Sequence, residues 1–170
     1  MKRILILTLI AGLITSFNVS AQQDKSKRPS PPAKVSQTLA SGAAISIDYS
    51  QPSLKGRPLS QLAPEGKVWR TGANEATVFE TSRDVKIEGK TLPAGKYSVY
   101  SIPGEKEWTI IFNKTWNQWG TAHKAEDDVL RVKVKPGKAP KFAEVMAFDI
   151  NKAGNVSLTW ADTQVDFKVQ

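Results

Sequence analysis

No cysteine occurs in the 170 residues, and histidine occurs once, as His123. The first absence removes disulfides, thiol nucleophiles, thiolate metal sites and lipid attachment through an N-terminal cysteine. The second confines all imidazole chemistry to one side chain. A Ser-His-acid triad would have to use His123, yet the Gly-x-Ser-x-Gly elbow is missing and no serine stands in a clear nucleophile setting. Zinc draws on several His or Cys ligands, so His123 with Glu126, Asp127 and Asp128 is a poor set, and those acids lack the EF-hand pattern for calcium. A Gly-rich phosphate loop and a dinucleotide fingerprint are also missing. Neither a metal nor an organic cofactor is expected.

Long hydrophobic runs are scarce as well. The longest, residues 4–14, has about eleven residues where a membrane helix needs about twenty. It follows Lys2 and Arg3 and precedes Val19-Ser20-Ala21, a small-x-small pattern of the kind signal peptidase cuts after. Residues 1–21 are therefore expected to be a signal peptide, and the mature chain to be exported, without a transmembrane segment, to the periplasm or the medium. Residues 22–33, QQDKSKRPSPPA, hold three prolines and no large apolar side chain, which predicts a flexible leader. A single domain is expected over residues 34–170.

The formal charge of +8 falls to +6 without Lys2 and Arg3, and the leader carries a further +2 of that, leaving about +4 for the domain. That is too little and too scattered for a nucleic-acid partner, which requires clustered Lys and Arg to neutralise several phosphates. The densest basic group, Arg131, Lys133, Lys135, Lys138 and Lys141, occupies one strand's outward face and the turn after it. It reads as a solvated face, and anionic polysaccharide or lipid headgroups are the partners that would suit it.

What is abundant is alternation. Ile45, Ile47 and Tyr49 interleave with Ser46, Asp48 and Ser50, and Leu130, Val132 and Val134 with Arg131, Lys133 and Lys135. The same period of two recurs around Phe79, Val85 and Ile87, Trp108 to Phe112, Val156 to Trp160, and Val165 to Val169. Residues 97–102 and 145–150 are apolar on both faces and predict central strands. Turn signals separate the runs: Glu88-Gly89-Lys90, Pro93-Ala94-Gly95, Pro103-Gly104-Glu105, Pro136-Gly137-Lys138 and Ala153-Gly154-Asn155. A brief helical turn fits residues 59–62. The expected fold is all-β, an antiparallel sandwich or a barrel of Greek-key or jelly-roll type, with about nine strands and one long loop.

That loop is the most distinctive stretch. Between Tyr49 and Thr77 lie about 25 residues crowded with Pro, Gly, Arg and Trp, and loops of this length in a compact domain are usually functional or pinned by their own side chains. The order Tyr49-x-x-Pro52, Lys55-Gly56-Arg57, Trp69-Arg70-Thr71-Gly72-Ala73-Asn74-Glu75-Ala76-Thr77, Leu92-Pro93-Ala94-Gly95-x-Tyr97-Ser98 and Trp108-Thr109-Ile110-Ile111-Phe112-Asn113 resembles domain-of-unknown-function family 2911. The resemblance implies an exported bacterial protein with a β-rich fold. It implies no activity and no site residues.

The segment WRTGANEAT nevertheless carries chemistry. Trp69 offers a stacking face, Arg70 a planar fork for carboxylate or phosphate, Asn74 a donor and an acceptor, and Glu75 a base or a sugar-hydroxyl acceptor, with Arg57 placed to join them across the loop. This palette suits carbohydrate or a small polar ligand. The structural alternative has Trp69 in the core, Gly72 at a positive φ, and Arg70 paired with Glu75 to pin the loop. Trp116 and Trp119 either present a second aromatic platform or cover the end of the sandwich. Trp108 and Trp160 alternate with apolar neighbours and are expected in the core. The expected function is a non-catalytic binding module for carbohydrate or a small polar ligand, contacted by Arg57, Trp69, Arg70, Asn74, Glu75, Trp116 and Trp119. Two alternatives stand beside it: a glycoside hydrolase using Glu75 and a second carboxylate, and a structural or protein-partner role in the cell envelope.

Overall fold

The structure, a computed structural model, describes residues 24–170. The expected signal peptide lies outside the described residues. Among those described, ten strands succeed one another: β1 (Pro32–Thr38), β2 (Ala44–Ser50), β3 (Thr77–Thr81), β4 (Val85–Ile87), β5 (Lys90–Leu92), β6 (Gly95–Ile102), β7 (Trp108–Asn113), β8 (Asp128–Val134), β9 (Pro136–Ile150) and β10 (Asn155–Lys168). One short helix, α1 (Leu59–Leu62), sits where the helical turn was expected. No helix among the described residues is long and apolar enough to cross a membrane.

Six strands form one antiparallel sheet in the order β1-β2-β3-β6-β7-β8. The β9–β10 hairpin lies against it, and the β4–β5 hairpin joins that second layer where Ile87 bridges Val169. Alternation explains the packing. Ile45, Ile47, Phe79, Val99, Ile110 and Phe112 turn one face of the large sheet inward, and Met146, Phe148, Val156, Leu158, Trp160 and Phe167 meet them from the hairpin. Each such side chain contributes roughly 1.5–3 kcal/mol when fully buried. Both edges of the large sheet, β1 and β8, stay open, so the molecule is a two-layer sandwich and not a closed barrel.

Several expectations change in detail. The two runs at residues 156–160 and 165–169 belong mostly to the single strand β10, which kinks at Ala161 (φ 53°) where its register against β9 shifts. Residues 145–150 are not a central strand: Val145 is 42% exposed while Met146, Phe148 and Ile150 are buried, because the hairpin has a partner layer on one side only. Pro136 to Lys138 is no turn but the start of β9, reached from β8 through Lys135 alone. The first strand begins at Pro32, two residues ahead of the expected boundary, and Pro31 accepts a hydrogen bond from the Gln51 amide. At Glu88-Gly89 the expected reversal is present, with φ of 49° and 79° at the two loop residues, the left-handed pair that matches strand twist in a two-residue hairpin.

The outer face of the large sheet holds a smaller apolar cluster of Ala76, Tyr100 and Ile111, with Ile102 against it. The signature segment and the chain after β7 pass over this face.

Candidate functional site

Strand β3 pairs with β6 only as far as Val99, which leaves the next stretch of the β6 edge free. Trp69 takes it: its amide donates to the Ser101 carbonyl at 2.8 Å and its carbonyl accepts from the Ser101 amide at 2.9 Å. Residues directly opposed in an antiparallel pair share a face, and their neighbours take the other. Trp69 therefore follows Ser101 and Val99 into the core, whereas Val68 and Arg70 fall on the face of Tyr100 and Ile102. The Trp69 ring is 7% exposed, stacks on Trp160 at 5.5 Å and 17°, and meets Trp108 edge-on at 6.3 Å. Trp69 thus takes the core place of the structural alternative, and its stacking face is not open to a ligand.

After Trp69 the backbone turns twice through the left-handed region, at Thr71 (φ 50°) and Asn74 (φ 58°). Gly72 does not supply a positive φ as expected. Its role is close approach, since a Cβ there would lie 2.7 Å from Thr77 Oγ1 and 3.3 Å from the Ser50 carbonyl oxygen. The Arg70–Glu75 ion pair of the structural alternative is not formed either. Glu75 accepts from Arg28 Nη1 at 2.9 and 3.0 Å, and Lys25 Nζ lies 3.0 Å from Oε1. Partial burial would raise the Glu75 pKa, but the hydrogen bonds from Arg28 and Lys25 outweigh it and hold the carboxyl at about 2. Asn74 Nδ2 donates to the Ser30 carbonyl at 3.0 Å. The leader, expected to be free, is thus fastened to the signature segment, and Glu75 and Asn74 are the residues that hold it.

Arg70 faces the other way. Its Nε donates weakly to the Gly72 carbonyl at 3.4 Å, and it has no acidic partner among the described residues. It lines a cleft of about 480 Å³ with Leu62, Lys67, Tyr100, Thr121 and His123, a volume within the range of about 300–1,000 Å³ usual for small-molecule sites. Gly120 makes room for it, because a Cβ at Gly120 would lie 2.4 Å from Arg70 Cδ.

His123 lines the same cleft, and its Nε2 lies 2.8 Å from Asp128 Oδ1. The His123 side chain is 14% exposed and that of Asp128 6%. Asp128 also accepts from Asn113 Nδ2 at 2.8 Å and from Arg131 Nε at 3.0 Å. Burial would raise its pKa, yet the hydrogen bonds from Asn113, Arg131 and His123 prevail and hold the carboxyl below its usual value. The Tyr100 ring packs on the imidazole with centroids 4.6 Å apart, and its hydroxyl accepts from Gln118 Nε2 at 3.0 Å. Burial pushes the Tyr100 phenol above its ordinary pKa. Of these groups the sequence points to His123 as a poor triad member, to His123 and Asp128 as poor metal ligands, and to Arg131 as part of a basic face. The available signal was the lone histidine five residues before an acid that opens a strand.

The remaining expected site residues are dispersed. Arg57 does not join the signature segment: its Nε and Nη2 donate to the carbonyls of Leu54 and Ser53 at 2.9 and 3.0 Å, so it closes its own turn. Trp116 and Trp119 are 41% and 53% exposed, and Lys96 Nζ stands 5.1 Å over the Trp116 ring. Their backbone is held by the signature segment, through the Ala76 amide to the Gln118 carbonyl at 3.1 Å and the Gly120 amide to the Asn74 carbonyl at 3.0 Å. Among the described residues no group of three or more His, Asp or Glu is placed to hold a metal ion.

The fold thus defines an all-β, two-layer domain with a cleft on the outer face of its larger sheet. Residues 30–169 match the model of a family described as a protein of unknown function, DUF2911, and the chain belongs to that family. No curated protein and no solved structure matches it.

Proposed function

We propose that this protein is an exported binding domain that holds a small polar ligand, a sugar or a polar metabolite, in the Arg70 cleft. The observation that carries the reading is the state of Arg70. It stands within the signature segment, it lines the cleft, and its only hydrogen bond among the described residues is the 3.4 Å contact to Gly72. A guanidinium has five N–H donors in a fixed fork, so several remain for a ligand. Lys67 and Thr121 add polar groups at the rim, and Leu62, Val68 and Tyr100 give an apolar lining. Support for export is the order of Lys2, Arg3, the apolar run and Val19-Ser20-Ala21. Glu75 suits glycoside hydrolysis poorly, because a carboxyl held at about 2 by two cations is neither a proton donor nor a strong base near neutral pH.

Thermal unfolding of the purified protein against a library of sugars and polar metabolites, beside Arg70→Gln, tests the reading. A ligand at about a hundred times its dissociation constant adds roughly 2.7 kcal/mol, a shift of several degrees. One compound should stabilise the wild type and leave the equally folded variant unmoved. A compound that stabilises both alike sinks the assignment to this cleft.

A second reading has its own observation. Trp116 and Trp119, both substantially exposed on one short segment, offer a contact surface for a glycan or an envelope protein. A Trp116→Ala, Trp119→Ala double variant that loses retention on a glycan or envelope-protein affinity column, while Arg70→Gln keeps it, favours that surface over the cleft.

A further inference from the structure

We infer that His123 is the second cationic contact of the Arg70 cleft, so that the ligand is a small carboxylate taken up together with a proton. The inference deepens the binding reading above and rests on it. Its starting point is which ring nitrogen is engaged. Nε2 lies against Asp128, and Nδ1 makes no hydrogen bond among the described residues. Among the described residues no buried side-chain nitrogen or oxygen lacks a partner, so Nδ1 reaches solvent, and the solvent beside His123 is the cleft.

The surrounding charges decide what that nitrogen does. Asp128 is secured from two elements besides the histidine segment, by Asn113 at the end of β7 and Arg131 of β8, and its carboxyl stays ionised through the range in which histidine titrates. An ionised Asp128 accepts only, so the neutral ring places its hydrogen on Nε2 and leaves the Nδ1 lone pair toward the cleft. A proton that arrives must bind at Nδ1, where it becomes an N–H donor beside the ligand. The other ionisable groups around the ring are Arg70 and Lys67 lining the same cleft, Arg131 on Asp128, Lys124 next in the chain, and the Tyr100 phenol against the imidazole. The four cations oppose protonation of the empty site, and Asp128 alone favours it. An anion between Arg70 and His123 reverses that balance, so ligand and proton bind with mutual support, and by linkage each strengthens the other by the same factor.

A carboxylate fits better than a phosphate. One guanidinium fork matches two coplanar oxygens, and the apolar side chains of Leu62 and Val68 offer contact to a carbon body.

The sequence supplies an unusually direct test, because the only imidazole Cε1–H signal in the NMR spectrum of the protein is that of His123. Its titration is followed alone and with acetate, benzoate or inorganic phosphate, and affinity for each probe is measured at pH 5.5 and pH 8. Saturating benzoate should raise the imidazole midpoint by about one unit, with affinity roughly tenfold higher at the lower pH, the two changes being one quantity by linkage. His123→Gln should keep the weaker pH 8 affinity and lose the pH dependence. Arg70-dependent binding of benzoate with an unmoved midpoint overturns the inference and leaves the binding reading standing. Absence of binding by every probe at both pH values overturns the carboxylate assignment, while the library screen still judges the cleft independently. Tighter binding of phosphate than of benzoate rejects the carboxylate class.

Discussion

Arg70 and Glu75 are five residues apart in one segment, carry opposite charges, and are natural candidates for an ion pair. The structure sends them to opposite sides of the chain. On the Glu75 side every charge is answered from within: Arg28 and Lys25 close on the carboxylate, and Asn74 ties down Ser30. On the Arg70 side the guanidinium has a single long contact and an open cleft, which His123, braced by Asp128, also lines. A charge satisfied by its own chain is scaffold. A charge of the same segment left without a counterion beside a cavity is where a ligand of the opposite charge belongs.

The largest effect should come from the residue that anchors both sides. Trp69→Ala removes the ring between Trp108 and Trp160, and truncating a buried aromatic of this size costs about 3–5 kcal/mol. Chemical denaturation measures it, and a loss under about 1 kcal/mol would show that the three tryptophans do not hold the segment. Gly120→Ala comes next. The new methyl would lie 2.4 Å from Arg70 Cδ and 2.7 Å from the Asn74 carbonyl oxygen, so something on each side must move, at about 1–3 kcal/mol, and Arg70-dependent binding should fall with it.

Glu75→Gln separates the two sides. Its side chain is 39% exposed, so solvent screening keeps the stability change to about 1 kcal/mol or less. The leader should come loose, seen as faster hydrogen exchange at the Gln51 amide that donates to Pro31, with the cleft's ligand still bound. Acid should do the same thing. The Glu75 carboxyl falls from 4.5 to about 2 on folding, so its contribution is complete above pH 4.5 and is lost as pH drops through about 2. Protection of the Gln51 amide that vanished already near pH 5 would mean that Glu75 is not the fastener. The smallest effect on stability belongs to Arg70→Gln, within about 0.5 kcal/mol, because nothing in the protein depends on the lost charge. A large loss there would erase the contrast between the two sides.

Much of the fold was legible because period-two alternation reports burial directly. β2, β3, β4, β7 and β8 stand where the alternation places them, and Glu88-Gly89 reverses as its residue types require. The missed or merged strands have physical causes. β1 starts inside a proline-rich leader with only Ala33 and Val35 to show a half-buried face, β5 is three residues long, and β10 absorbs a kink at Ala161 that interrupts its period. The site was half legible. The residue types of WRTGANEAT mark it as the distinctive stretch, but strand alternation parts Trp69 from Arg70, so its side chains do not form one cluster.

Residue types along the chain determined the β architecture, the turns, the absence of thiol chemistry and the signature segment, because these depend on local backbone preference and on which side chains leave water. Tertiary structure alone decided the partners. Arg28 reaches Glu75 across 47 positions, and the Tyr49 hydroxyl accepts from the Phe148 amide 99 positions away. The His123–Asp128 pair and Arg70, more than fifty positions apart, come to one cleft because Trp69 docks on the β6 edge and the chain after β7 folds over the same face. Ion pairing and cavity formation depend on distances of a few ångströms between residues remote in sequence, and only the packed fold sets those distances.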